Sequence, residues 1–530
     1  MTTLWCIVWI GACTPTSTEE TSRASTADST LTGPTDTWLE RRPPAECNPS
    51  TEAFVSTRLA HPAEPEHRFA GGGIAALDGN GDGVLDLLTT GSQGVRLLLG
   101  PTYGTDHPMP AVDGPVTGAT VADLDGDGLD EVFLSLHGPP DLLLRQIDGA
   151  WQVDQTAVFP AGHSQSAAVV DLDRDGHLDL LVAGHGIPAV VDDQVTIEAP
   201  GTPTRVYMGR PGGGFDDHTD ALPRAFRDAY TFVVAPIDLD GDGRDDLYTA
   251  NDYPNWIPQQ AALAVDGGWV EADPTLGLSP QGAGMGLGIG DLNDDGIDDL
   301  LLPVWNKLFL LTSVPGVGWV QTAQRDGLVL PERDGAWVGW GGELQDLDHD
   351  GLLDVVAAFG HLDTLAGATV GGGDASNLDD QPILAWLQRE GRFVPVDMNL
   401  PTDGAHRGFV LHDLDGDGGL DLAAPRLDGG IDWLQSTCRD GAWLTVALDD
   451  RGTAGLGAQV QLTASGRTVR RTVRAGGTSL LSSWPAVVHF GLGQATDVSV
   501  EVRWPDGLVE SLGTVDTRQH VIVHRGDEGG

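Results

Sequence analysis

Between residues 70 and 436 the chain repeats one pattern, a short apolar run, a tight acidic turn and a second apolar run. SAAVV (166–170), TFVVAPI (231–237) and RGFVLH (407–412) lead into such turns, and LLVA (180–183) and LLLP (300–303) follow them. Two short β-type runs bracketing a turn predict a hairpin. Two further strand-like runs complete a repeat: AALAVDG and GWVEADPT (261–275) in the fourth, PILAWLQ and GRFVPVDM (382–398) in the sixth. The acidic turns begin at Asp78, Asp123, Asp171, Asp238, Asp291, Asp346 and Asp413, at spacings of 45, 48, 67, 53, 55 and 67 residues. Four strands at a period near fifty predict the blades of a β-propeller, and seven turns predict seven blades.

The turns carry the candidate chemistry. Oxygen-bearing side chains stand at loop positions 1, 3, 5 and 9, with Gly at position 6. The first set is Asp78, Asn80, Asp82 and Asp86; the second Asp123, Asp125, Asp127 and Glu131; the third Asp171, Asp173, Asp175 and Asp179. The fourth is Asp238, Asp240, Asp242 and Asp246, and the fifth Asp291, Asn293, Asp295 and Asp299. The sixth is Asp346, Asp348, Asp350 and Asp354, and the seventh Asp413, Asp415, Asp417 and Asp421. Carboxylates this close repel by roughly 4 kcal/mol per pair at 4 Å for an effective dielectric near 20. A hard divalent cation reverses that sign, and Ca2+ takes six to eight oxygens. Asp-Gly alone is ordinary turn chemistry, but a bare turn gives no evident use to an acid at position 9. Up to seven calcium ions are therefore expected, each loop contributing a similar share. The loops are not EF-hands, because position 12 is Thr89, Leu134, Val182, Thr249, Leu302, Ala357 or Ala424 where Glu belongs.

These DxDGDGxxD hairpins resemble the FG-GAP/VCBS repeats that build seven-bladed propellers in integrin α-subunits and many bacterial surface proteins. The resemblance covers residues 48 to about 438. It implies a calcium-stabilised, all-β, seven-bladed propeller that binds a protein or glycan. Beyond Cys438 the acidic loops stop, and WLTVAL, AQVQLTA, VVHFGLG, VSVEVRW and QHVIVHR alternate with turns. This predicts a small β-sandwich over 439–526. GLGAQV (455–460), HFGLG (489–493) and VRWPDG (502–507) resemble the ASPIC/UnbV domain, which follows such propellers in related proteins. With no acidic loops of its own, the tail is expected to ignore calcium. Its basic cluster, Arg467, Arg470, Arg471 and Arg474, reads as a solvated strand face or an anion site.

Residues 1–13, MTTLWCIVWIGAC, contain an apolar run of signal-peptide length. It ends in IGAC, which resembles a bacterial lipobox with Cys13 as the acylated residue, although no Lys or Arg precedes it; an unprocessed start is the other reading. Residues 14–46 are rich in Ser, Thr, Pro and Glu and read as a disordered tether. Cys47 and Cys438 stand at the two ends of the repeat array, residues 47–438. TEAFVSTRLA (51–60) resembles the fourth strand that repeat seven lacks, and in a closed propeller that strand would bring the two cysteines together as a disulfide. Two free thiols are the alternative.

The net charge is −49, from 78 acidic and 29 basic residues, and loop ligands account for only 26 of the acids. That field argues against nucleic acid and other polyanions as partners. The expected protein is an exported monomer of the cell envelope, held to a membrane only by lipid, or secreted if Cys13 is not acylated. Its partner would be an extracellular protein or glycan, met on the long loops 186–203 and 361–381. No catalytic motif stands out: there is no GxSxG, HExxH or Walker loop. A carbohydrate-active lyase or hydrolase in the central channel is the alternative, on fold analogy alone.

Overall fold

The computed structural model describes residues 38–526, apart from 51–53, 62–71, 187–188, 192–193, 197–200, 254–256, 334, 361–380, 400–403, 451–452 and 477. The Cys13 signal and residues 14–37 of the tether lie outside the described residues, as do most of the two long partner loops.

Among the described residues, each acidic turn joins the first two strands of a four-stranded antiparallel unit, and there are seven such units. In repeat four the strands are Thr231–Ile237, Asp246–Asn251, Gln260–Val265 and Gly268–Glu271, hydrogen-bonded in that order. The first two are buried throughout, whereas the fourth is largely open to solvent. Strands covered on both faces read as continuous apolar runs, which is how these appear in sequence. Consecutive units share their cores. Leu88 and Val132 join repeats one and two, Val234 and Ala168 join three and four, and Leu300 and Val338 join four to six. Ile74 packs with Val410 and Ile431, so the seventh unit meets the first and the ring closes. The fold is a β-propeller.

Closure is made as expected from both ends of the array. Phe54–Leu59 pairs antiparallel with Ile431–Ser436, in register from Phe54 opposite Ser436 to Leu59 opposite Ile431. Cys47 and Cys438 form a disulfide with a Cα–Cα distance of 5.1 Å, beside a hydrogen bond from the Cys438 N–H to the Asn48 carbonyl (2.8 Å).

The tail is a sandwich of two four-stranded sheets. One contains Ala442–Asp449, Val487–Gly493 and Gln519–His524; the other contains Gln459–Ala464, Arg467–Thr472, Asp497–Arg503 and Val509–Asp516. Its first sheet takes a strand from the far end of the chain, Trp38–Arg42, paired antiparallel with 520–524. The tether expectation therefore fails for residues 38–42, which satisfy their backbone groups on a sheet edge instead of in water, whereas 43–46 form no strand and are exposed.

The tail is not a separate body. Its core residues Leu444, Val460, Phe490 and Trp504 lie in one cluster with Leu124, Phe133, Val169 and Leu180 of repeats two and three. Residues 475–476 and 478–484, which lie in sequence between strands of its two sheets, run along the innermost strands of the propeller. Ala475 and Gly476 pair with Val169 and Ala168, Ser479 exchanges two backbone hydrogen bonds with Leu287, and Ser482 and Ser483 pair with Ile74 and Ala75. Leu480 and Leu481 are fully buried with Phe232, Leu287 and Trp340. Glycines make room for this axial strap: a Cβ on Gly408 would lie 2.5 Å from the Leu480 carbonyl oxygen, and one on Gly73 2.8 Å from that of Leu481.

Candidate metal centre

Each acidic loop turns on two left-handed residues. Position 6 is Gly throughout, with φ from +83° at Gly83 to +94° at Gly351. Position 4 is also left-handed, even where it is Arg174, Asp294 or His349. Backbone N–H groups in these turns point inward, and the position-1 carboxylate collects them: in loop two, Asp123 accepts from Gly126 (2.8 Å), Asp127 (3.1 Å) and Gly128 (2.8 Å). The position-6 amide makes this bond to position 1 in all seven loops.

The acid at position 9 has a structural use that the sequence did not reveal. In every loop it is buried and accepts from the position-2 amide at 2.7–3.1 Å. In six loops its other oxygen accepts from an amide of the third strand, or in loop one of Gly100 just past it, at 2.6–2.8 Å. Glu131 differs: its second oxygen faces Arg145 at 3.6 Å. An acid at position 9 therefore locks the turn to the sheet, and its recurrence is not evidence for metal by itself.

The two roles can be separated by mutation in loop four. Asp246→Ala would leave the Leu239 and Ala264 N–H groups unpaired, costing about 1–3 kcal/mol each. That loss is expected in EGTA as well as in calcium. Asp240→Ala is expected to cost less than about 1 kcal/mol in EGTA, because it removes one exposed contact at 3.2 Å, and more in calcium. Urea melts of the two variants under both conditions check this, and equal behaviour in EGTA would contradict the lock.

The geometry fits a cation. In five loops three carboxylates each offer an oxygen within 4.8 Å of the others: Asp123, Asp125 and Asp127; Asp171, Asp173 and Asp179; Asp238, Asp240 and Asp246; Asp346, Asp348 and Asp354; and Asp413, Asp415 and Asp421. Loops one and five, the two with Asn at position 3, are not among these groups. Burial raises the acids: Glu131, Asp299, Asp354 and Asp413 are pushed up to about 8, and Asp179, Asp246 and Asp346 to about 7. An acid buried in this way holds a proton near neutral pH unless a positive partner keeps it ionised. Asp348 Oδ1, at a ligand position, is buried without a hydrogen-bond partner. In places a side chain supplies part of the compensation: Arg145 reaches Asp125, and Arg389 reaches Asp348 and Asp350 (2.7 Å to the latter). Gln435 donates to Asp415 at 2.5 Å.

The loops are not equivalent, contrary to the expectation of equal shares. Loops one and two present their positions 3 to 6 largely to solvent, whereas Asp346, His349, Asp413 and Asp417 of loops six and seven are buried beneath the tail. The basic cluster explains part of that cover. Arg467 pairs with Asp294 (2.8 Å) and Arg474 with Asp298 (2.5 Å), both in loop five, and Arg471 is enclosed where Asp346, Asp291, Asp298 and Asp294 act on it. The partner of the cluster is this chain's own acidic face. It is therefore not a solvated strand face, and the anion it meets is internal.

The FG-GAP-like repeat profile matches residues 78–134, 123–182 and 238–302, and the ASPIC and UnbV profile matches 449–529. The chain carries FG-GAP-like repeats and an ASPIC and UnbV domain. It is similar to cartilage acidic protein 1 of Homo sapiens, with 26% identity over 275 residues, and of Xenopus tropicalis, with 27% over 278. The matched stretches are 49% and 50% of this chain but only 38% and 40% of those relatives. Among solved structures it is similar to an Agrocybe aegerita lectin described as recognising non-reducing terminal N-acetylglucosamine. The TM-score is 0.41 and the identity 13%, over 69% of this chain and 94% of that one. It is also similar to the β-propeller domain of Myceliophthora Cps50 (Swd1), with TM-score 0.40 and 10% identity, over 72% and 100%.

Proposed function

We propose that the chain is an exported, surface-anchored calcium-binding propeller that acts as an adhesion or ligand-binding module for a protein or glycan. The observation that carries this is the set of carboxylate clusters on the hairpin turns of a closed ring, bound together by the Cys47–Cys438 disulfide. Disulfides persist in oxidising compartments, which fits export. Asp78, Asp123, Asp171, Asp238, Asp291, Asp346 and Asp413 would open each cage at position 1, with the acids or Asn at positions 3 and 5 and the position-9 acid completing it. Calcium would hold the turns in shape rather than switch them, since among the described residues no pair of helices flanks a loop as in sensor proteins.

An enzyme site in the channel is the less favoured reading, because residues 475–476 and 478–484 run along the innermost strands where such a site would lie. Ligand contact is better supported at the strand ends remote from the acidic loops. There a cleft of about 740 Å3 is lined by Pro160, Arg205, Asp217 and Arg227 together with Gly201 and Pro203 from the described end of the long loop 186–203. A glycan array probed with the full chain, with and without EGTA, and a product assay on each hit test the proposal. Binding without turnover that weakens in EGTA is the expected result. Turnover of a bound glycan would replace the reading with the enzyme one. Calcium titration that finds no bound ion would remove its metal part.

A further inference from the structure

We propose that the acidic loops are the seat of the tail, so that cation binding in loops six and seven keeps the sandwich docked and the axial strap in place. This rests on the calcium reading above and goes beyond it in saying what the shaped loops hold.

The contacts fall in a pattern. In loop six, the Gly493 N–H donates to the position-4 carbonyl of His349 (2.8 Å), and Arg467 Nη1 donates to the position-6 carbonyl of Gly351 (2.7 Å). In loop seven, His520 Nε2 donates to the position-4 carbonyl of Gly416 (3.0 Å), and His489 Nε2 to the position-6 carbonyl of Gly418 (2.9 Å). The Ala45 N–H, on the segment leading from the tail's outer strand, also donates to Gly416 (2.7 Å). Positions 4 and 6 are the two left-handed turning points of the loop, and neither belongs to the proposed ligand set of side chains. The tail thus reads the outer backbone of the same turns whose carboxylates converge on the other side.

Without a cation, the clustered carboxylates are relieved of their repulsion by opening the turn, and this displaces both carbonyls together. Charge alone works the other way, since emptied loops attract Arg467 and Arg474 more strongly. Those pairs go to positions 4 and 8 of loop five and not to loops six and seven; Arg467 and Asp294 are about one-third exposed, where ion pairs contribute little, while Arg474 and Asp298 are more enclosed. Backbone hydrogen bonds under the tail cost more when left unmade, so loop shape decides the sign. The effect is passed on along the chain, because Arg474, paired with Asp298, immediately precedes the strap that begins at Ala475.

Hydrogen exchange on the full chain, with calcium stoichiometry measured by equilibrium dialysis on the same samples, tests this. Amides of 478–484 are expected to exchange at least tenfold faster in EGTA than in millimolar calcium. In calcium, Asp348→Ala, in loop six under the tail, should reproduce that acceleration, and Asp82→Ala, in the solvent-facing loop one, should not. Bound calcium with strap exchange unmoved by EGTA would overturn the docking proposal while leaving the calcium reading intact. Equal acceleration by both variants would also overturn it, because the effect would then be global. Absence of bound calcium would remove both.

Discussion

Adding EGTA is expected to lower the melting temperature of propeller and tail together, in one shifted transition. Extracellular calcium modules have Kd around 0.1–1 mM. In surroundings near millimolar calcium, each such site adds roughly 0.4–1.4 kcal/mol by mass action, and the five loops with three converging carboxylates about 2–7 kcal/mol together. The upper part of that range is comparable to the whole stability of a typical domain, about 5–15 kcal/mol. The tail shares the loss because Leu444, Phe490 and Trp504 lie in one core with Phe133 and Val169, and because its strap is paired with inner strands of the ring. Differential scanning calorimetry with and without EGTA measures the shift. A transition that stays in place would mean that the loops hold no calcium; a tail transition that separates and stays behind would mean that the shared core is not cooperative.

Removing the disulfide is the second large effect expected. Cys47 and Cys438 are 391 residues apart, and the chain-entropy model gives about 4–6 kcal/mol for so long a loop as a ceiling, lowered by residual structure in the unfolded chain. The Cys47→Ser, Cys438→Ser double variant should melt lower than the parent, with the loss appearing first as faster amide exchange in Phe54–Leu59, the strand the bridge secures. A thiol assay of the unmodified chain that finds both cysteines reduced would contradict the bridge.

Much of this architecture is legible in the sequence because it is local. A hairpin needs only two apolar runs and a turn, and seven acidic turns, five Asp-x-Asp-x-Asp-Gly and two with Asn at the third position, fix where each begins. The closing strand could be read as well, since repeat seven lacks a fourth run and residues 54–59 supply one. Contacts between distant segments are not written in any local period. Trp38–Arg42 lies in a stretch whose composition reads as tether, and only its partner strand 520–524 makes it a strand. The Arg467–Arg474 cluster looks the same in sequence whether it faces water, a ligand or Asp294 and Asp298. The acid at position 9 misled in a different way: both of its roles require a carboxylate, so its identity could not tell a strand lock from a ligand.

The placement of the bridge has a mechanical consequence. Tension arriving along the chain before residue 38 first meets the five-residue pairing of Trp38–Arg42 with His520–His524. Once past it, the pull reaches Cys47 and divides there, part going on toward Phe54–Leu59 and part crossing to Cys438 and Ile431–Ser436. Those two strands are hydrogen-bonded partners in one sheet, so they are loaded side by side and not drawn apart. A propeller closed by hydrogen bonds alone would unzip from that strand; here the first bond of the ring itself to carry the load is covalent.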